Sequence, residues 1–467
     1  MRPYRGGGWG LKHNAEPSPR TIFCARLARL LLPAGFLALA IWPLACRAPR
    51  QTHPASAVFY PRELSRVTFA VAGDVIPHGP VKKEAASDGA GAAGWAALFS
   101  QVSEVFRSAD FGFVNMETPV APKNSRGSKP FLFNAPVDLI AGLKASGIDI
   151  VSFANNHVMD QGWAGFAETR EHLREQDMLF VGSSDTAAEA WRPVIVEKNG
   201  IKVGWLGMTR WLNGNRNPAD ANRPHVNFFP YPRDRSNASG MDEAGVLEAI
   251  ARARASCDLL IVSIHWGVEY APAPRADDIA LAHRMIDAGA SVIVGHHPHV
   301  VQKVETHRTA DGRTGLIFFS LGNFLSNQSA NYAYRTSPDR EGDPRDAIIG
   351  LFSAIRRDYG PSGVRVELGN IGVLPVWGEN NRNQLAIGRD NAILIRPVLI
   401  DPEILRLKAR LGELGKNGGV ASLTGAERAE AIEATNQLKV LEDRRRRLLA
   451  RTGGEYFARP SKPSTTP

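Results

Sequence analysis

The sequence predicts an α/β fold, a sandwich with central, largely parallel strands and helices packed outside them. Three observations predict it. Short apolar runs alternate with amphipathic stretches at the spacing of strand–helix units. Hydrophobic residues make up 43% and charged residues 22% of 467, ordinary for a folded globular chain and unlike a disordered, collagen-like or multi-spanning one. Asp, Glu, Asn and His fall directly after the apolar runs, and in an open α/β sheet the strand ends form the ligand crevice.

VTFAVAG (67–73) reads as a buried strand, and 95–110 as a helix with apolar residues recurring at three and four. FGFVNM (111–116) is a strand, 136–147 a helix ending at a glycine, IDIVSFA (148–154) a strand and 165–177 a helix. PVIVEKNGIKVGWLGM (193–208) reads as two strands joined at Asn199-Gly200, a strong hairpin signal. A helix over 241–256, a strand over 258–266, a helix over 277–289 and a strand over 290–295 follow. The runs 316–325, 350–357 and 364–376 read as further antiparallel strands. Segments 210–240 and 326–347 read as long loops, which in compact domains tend to be functional. From about 401 the chain reads as a helical extension of two charged helices, with Arg444 to Arg447 forming a solvated helix end and the last residues disordered.

The net charge is +9, but residues 1–50 hold eight Lys/Arg against Glu16 alone, leaving +2 for the rest. That distribution excludes a nucleic-acid surface as the reason for the basic pI. A basic stretch followed by the uncharged run LLLPAGFLALAIWPLAC (30–46) reads as an export signal or anchor. It predicts a cytoplasmic N-terminus and a body delivered to the cell envelope, held at the membrane if the segment is retained or lipidated at Cys46. Residues 47–65 read as a linker, and 66–400 as the main domain. Cys257 is the only cysteine in the body, so no disulfide framework or cysteine-rich zinc site is expected there.

Five segments carry the chemistry. Asp74, Glu117, Asn155-Asn156-His157, His265 and His296-His297-Pro298-His299 each follow an apolar run. Two carboxylates, an amide oxygen and several imidazoles suit one or two divalent ions of the Mn, Zn or Fe type. Histidines 172 and 283 fall within helices and read as structural.

The motifs AGDV (72–75), NMETPV (115–120), FANNHVMDQG (153–162), HWGVEY (265–270), GHHPHVVQ (295–302) and SLGNF (320–324) resemble the CapA family of poly-γ-glutamate capsule biosynthesis, related to calcineurin-like metallophosphoesterases. The resemblance covers about 66–330, with a β-rich continuation to about 400. It implies a calcineurin-like αββα sandwich, two mixed sheets flanked by helices. It also implies roles: Asp74 as first-strand ligand, Glu117 as bridging carboxylate, Asn156 as amide ligand and His157 as general acid. His265 would ligate the second metal, with His297 and His299 in the last ligand loop and His296 behind them. Ile76 stands where the wider superfamily has a ligand histidine, and His78 is out of register, so one metal site is expected to be weakened.

Two functions follow as expectations. One is a metal-dependent hydrolase of the envelope acting on a phosphoester or an anionic polymer. The other is a non-catalytic accessory protein that binds an acidic polymer or its membrane synthase.

Overall fold

The computed structural model describes residues 60–467 except 88, 90, 128, 130, 233–239, 389, 417–422 and 458–467. The export segment expected over 1–46, Cys46, most of the linker and the C-terminal end lie outside the described residues. In chain order the first strands are β1 (Arg62–Val75), β2 (Phe111–Met116), β3 (Ile150–Ser152), β4 (Leu179–Val181), β5 (Ser183–Ser184), β6 (Val194–Lys198), β7 (Ile201–Thr209) and β8 (His225–Val226). Then come β9 (Leu259–His265), β10 (Val292–His296), β11 (Val304–Arg308), β12 (Thr314–Phe318), β13 (Asn323–Leu325), β14 (Asp346–Asp358), β15 (Val364–Asn380) and β16 (Ile395–Leu399). The helices are α1 (Gly79–Ser87), α2 (Ala92–Leu98), α3 (Ser103–Arg107), α4 (Asp138–Ala145) and α5 (Gly162–Glu175). They continue with α6 (Glu243–Arg254), α7 (Ala276–Asp287), α8 (Arg382–Ala386), α9 (Ile400–Lys416) and α10 (Gly425–Thr452).

Fourteen of these strands form two mixed sheets, and β5 and β8 pair antiparallel with each other. The larger runs β16-β15-β14-β1-β2-β3-β4, parallel from β1 to β4 and antiparallel across β14 to β16, with β13 pairing beside the end of β1. The other runs β11-β12-β10-β9-β7-β6, parallel at its centre and antiparallel at both edges. The β6–β7 turn carries Asn199 and Gly200 at φ of 53° and 71°, the left-handed pair a two-residue hairpin requires.

Three apolar layers hold the sandwich. Between the sheets Phe69 stacks on Phe352 at 4.8 Å and Phe113 on Trp205 at 5.3 Å. Outside the larger sheet Trp95, Phe106, Leu139 and Phe166 join α2 to α5 to it. Outside the smaller one Val246, Ile250, Leu281 and Met285 seat α6 and α7. These all-apolar contacts remove large areas from water, which is the main driving force of the fold.

Four expectations need correction. The run 316–325 is not one antiparallel strand. β12 lies parallel to β10 in one sheet, and β13 lies parallel to β1 in the other. Gly322, at φ 75°, turns the chain between them, a conformation open to glycine at little cost. The stretch 95–110 is two helices, and the break lets Phe99, Val102 and Phe106 all face the core. Arg444 is not solvated but wholly buried. Its Nε donates to Asp346 Oδ1 at 2.8 Å and its Nη2 to Asp343 Oδ1 at 2.6 Å. Burial pushes the Asp346 carboxyl up, and the Arg444 charge opposes that push. The C-terminal helices therefore pack on the domain, with Ile404, Leu407, Leu441 and Leu448 in its inner core. β1 also begins at Arg62, inside the stretch read as a linker, because β14 is long enough to pair with it there.

Removing one partner of a buried ion pair strands the other. Arg444→Ala is expected to lower unfolding free energy by about 3–5 kcal/mol in urea titrations, while Arg446→Ala at the exposed neighbouring position changes it by under about 0.5 kcal/mol.

Candidate metal centre

The parallel strands deliver their polar residues to one rim. Asp74 is next to last in β1, Glu117 follows β2, Asn156 and His157 follow β3, and His265 and His296 end β9 and β10. Asn323 opens β13 and pairs with Asp74 in register. That register depends on a close backbone contact. A Cβ on Gly73 would meet Gly322 O at 1.8 Å, and Asp74 N donates to the same oxygen at 3.0 Å.

All seven residues anticipated from sequence come together. Asp74 Oδ1 accepts from Asn115 Nδ2 at 2.8 Å, and His299 Nδ1 lies 3.1 Å from Asp74 Oδ2. His299 Nδ1 is equally 3.1 Å from Asn323 Oδ1. These two oxygens at Nδ1 orient the ring so that Nε2 faces Glu117, 3.9 Å from its Oε1. Asn156 Oδ1 and His265 Nε2 stand 3.0 Å apart. His296 is buried behind Asp74, its Nδ1 3.4 Å from Oδ1. His297 is part-exposed, with Nδ1 unpartnered.

Glu117 is the centre of this set. It is fully buried, and Asn115 Nδ2 donates to its Oε2 at 3.3 Å. Its Oε1 has no hydrogen-bond partner among the described residues. Nε2 of His157, His265 and His299 surround that oxygen at 3.9, 3.8 and 3.9 Å, beyond hydrogen-bond reach.

Two groups have the spacing of cation ligands: buried Asp74, Glu117 and His265, and the more open Glu269, His297 and His299. In each, the ligand atoms lie within 4.8 Å of one another. The donor set fits a divalent transition metal: carboxylate oxygens, neutral imidazole nitrogens and a nearby amide oxygen, with an orphaned carboxylate oxygen between them.

The electrostatics agree with that fit. Burial, then the charges of Asp74, Glu269 and Asp160, drive the Glu117 carboxyl well above its usual range. Burial also acts to raise Asp74, but the His296 and His299 rings outweigh it and hold the group well below. Burial and neighbouring imidazoles push His265 down and His297 to about 3, so both rings keep free lone pairs. A bound cation would relieve the repulsion between the two carboxylates.

Backbone strain concentrates here. His297 and His299 sit at φ 95° and 58°, and Tyr270 at 62°. Such angles in bulky residues cost energy and cluster at functional sites.

A family model for the bacterial capsule synthesis protein PGA_cap matches residues 68–328. The chain belongs to this PGA_cap family. The matched region starts in β1, ends just past β13 and contains every ligand candidate; α9 and α10 lie outside it. The capsule biosynthesis protein CapA of Bacillus anthracis is 30% identical over 275 residues, 57% of this chain and 61% of the relative. The PGA biosynthesis protein CapA of Bacillus subtilis is 31% identical over 234 residues, 50% of this chain and 57% of the relative. A probable polyglutamine synthesis accessory protein of Mycobacterium tuberculosis is 27% identical over 215 residues, 43% of this chain and 52% of the relative. The chain thus matches about three fifths of the length of its curated Bacillus relatives.

Sequence reasoning gave no role to four residues inside the PGA_cap motifs. Asn115 ties Asp74 to Glu117, and Asn323 holds His299. Asp160 Oδ2 lies 2.8 Å from His157 Nδ1 and accepts from Phe133 N at 2.7 Å. Glu269 joins His297 and His299. The available signal was their place in the same motifs: Asp160 three residues after His157, Glu269 four after His265. Ile76 is a core residue, and His78 is held by Ile76 O at 3.1 Å and packs on Phe133.

A metal at these groups stabilises the fold by mass action. Mn²⁺ or Zn²⁺ at about a hundredfold over its dissociation constant is expected to raise unfolding free energy by about 2.7 kcal/mol per site. Chelation should reverse the gain, and Glu117→Ala should abolish most of it in paired thermal melts.

Proposed function

We propose that this chain is a divalent-metal-dependent hydrolase of the cell envelope that cuts an anionic exported polymer of the poly-γ-glutamate type. One observation carries the reading: the His157–Asp160 pair faces Glu117 where the two ligand groups meet. The names of the CapA relatives support the polymer, and the basic and apolar segment over 1–46 supports export and a membrane tether near a polymer synthase.

Asp74, Glu117, Asn156 and His265 would hold one ion of the Mn, Zn or Fe type, and His297, His299 and Glu269 a second, with Glu117 between them. The chemistry such ions supply is polarisation of a substrate oxygen and activation of water. The chain's own groups do the rest. Asn115 fixes both carboxylates. Asp160 holds His157 Nδ1, so the ring presents Nε2 to the site. Cleavage of an amide adds water across the C–N bond, and the departing nitrogen needs a proton. His157 Nε2 delivers it and is reloaded from solvent. Phe133, 4.3 Å from the His157 ring, shields that face from water.

Ile76 favours a second reading, a non-catalytic accessory protein, because it removes one ligand expected of a two-metal phosphoesterase.

The test is chain-length analysis of purified poly-γ-glutamate incubated with the metal-replete full chain. Shortening is expected, lost on chelation. His157→Ala should reduce the rate about 10²- to 10⁴-fold with unchanged circular dichroism and metal content, and Asp160→Asn should reduce it less. No shortening under any of the three metals removes the hydrolase reading in favour of the accessory one.

A further inference from the structure

A cleft of about 770 Å³ opens beside the metal centre, lined by Tyr270, Asn327, Gln328, Asn331, Arg340 and Arg382 among others. It joins the centre at two points. The Tyr270 ring lies 5.9 Å from that of His299, and Asn323, which holds His299, donates through Nδ2 to Gln328 Oε1 at 3.0 Å. Most of its wall comes from the segment 327–344, whose backbone follows β13 directly.

The polar groups of the wall are sorted by kind. Asn327 Oδ1 accepts from Asn380 Nδ2 at 2.9 Å, and Gln328 Oε1 is taken by Asn323. With both oxygens fixed, the amide NH₂ groups of Asn327 and Gln328 are left without acceptors among the described residues, and so is that of Asn331. Arg340 and Arg382 are exposed, and neither has a carboxylate partner among the described residues. The acids of the wall do not cancel them. Asp343 is paired with Arg444 and Arg451, and Glu341 alone opposes the two arginines.

Amide donors held by their oxygens suit carbonyl acceptors along a backbone. Unpaired planar guanidiniums suit carboxylates, which they grip through two parallel bonds. We infer that this cleft binds a polyamide chain bearing carboxylate side groups and feeds it to the metal centre, with Arg340 and Arg382 reading the carboxylates and Asn327, Gln328 and Asn331 the amide carbonyls. The inference rests on the polymer assigned above, but not on its cleavage.

The test is equilibrium binding of fluorescently labelled poly-γ-glutamate to the full chain under chelation, so that turnover does not enter. Arg340→Ser/Arg382→Ser is expected to weaken binding at least tenfold. Arg62→Ser/Arg428→Ser removes the same charge elsewhere on the surface and should leave affinity within twofold. Polyphosphate of matched length should bind at least tenfold more weakly than the polyamide. Equal loss in the two double variants overturns the cleft, since general charge attraction then explains binding. Equal affinity for polyphosphate overturns the polyamide assignment. Arginine-dependent binding without chain shortening in the metal-replete assay leaves the cleft standing and removes only the hydrolase reading.

Discussion

Two carboxylates, Asp74 and Glu117, are buried side by side under a roof of imidazoles, and the rest of the rim is arranged around them. Taking one ionised carboxylate out of water is costly, and taking two at close range more so. The protein answers with hydrogen bonds from Asn115 to both and with the His296 and His299 rings against Asp74. It leaves one oxygen of Glu117 without a hydrogen-bond partner among the described residues. A single donor too few, at the point where three imidazole nitrogens converge, is consistent with a place for a cation.

Holding that arrangement requires the two sheets to be locked together at their strand ends. The lock is the crossover from β12 to β13. Gly322 turns there at positive φ, and Gly73 lets the β1 backbone approach its carbonyl. The approach places Asn323 opposite Asp74 and brings His299 between them. Neither glycine carries a ligand side chain, yet a Cβ on Gly73 would push Asp74 off its register.

The C-terminal helices reach the same region from behind. Arg444 neutralises Asp346 at the start of β14 and Asp343 in the cleft wall. Asn323 Nδ2 also donates to Pro344 O at 2.9 Å, between those two acids. The helix that looks from its charges like a solvated appendage thus packs on the sandwich and holds Asp343 of the cleft wall through Arg444.

The sequence by itself determined the α/β class and the order of most elements, through apolar periodicity and the Asn-Gly turn. The seven candidate residues were marked by their place after apolar runs and by the motifs of the family resemblance. Only the tertiary structure decided which polar residues meet. Asn115, Asp160, Glu269 and Asn323 gained their roles from neighbours up to 249 residues away, as in the register of Asn323 with Asp74 at the end of β1. The sheet switch at Gly322 and the burial of Arg444 were likewise invisible locally. A mostly apolar run of ten residues does not say which sheet each half joins, and a run of four arginines does not say that one finds two buried acids. Both outcomes are set by long-range packing, which carries no period along the chain.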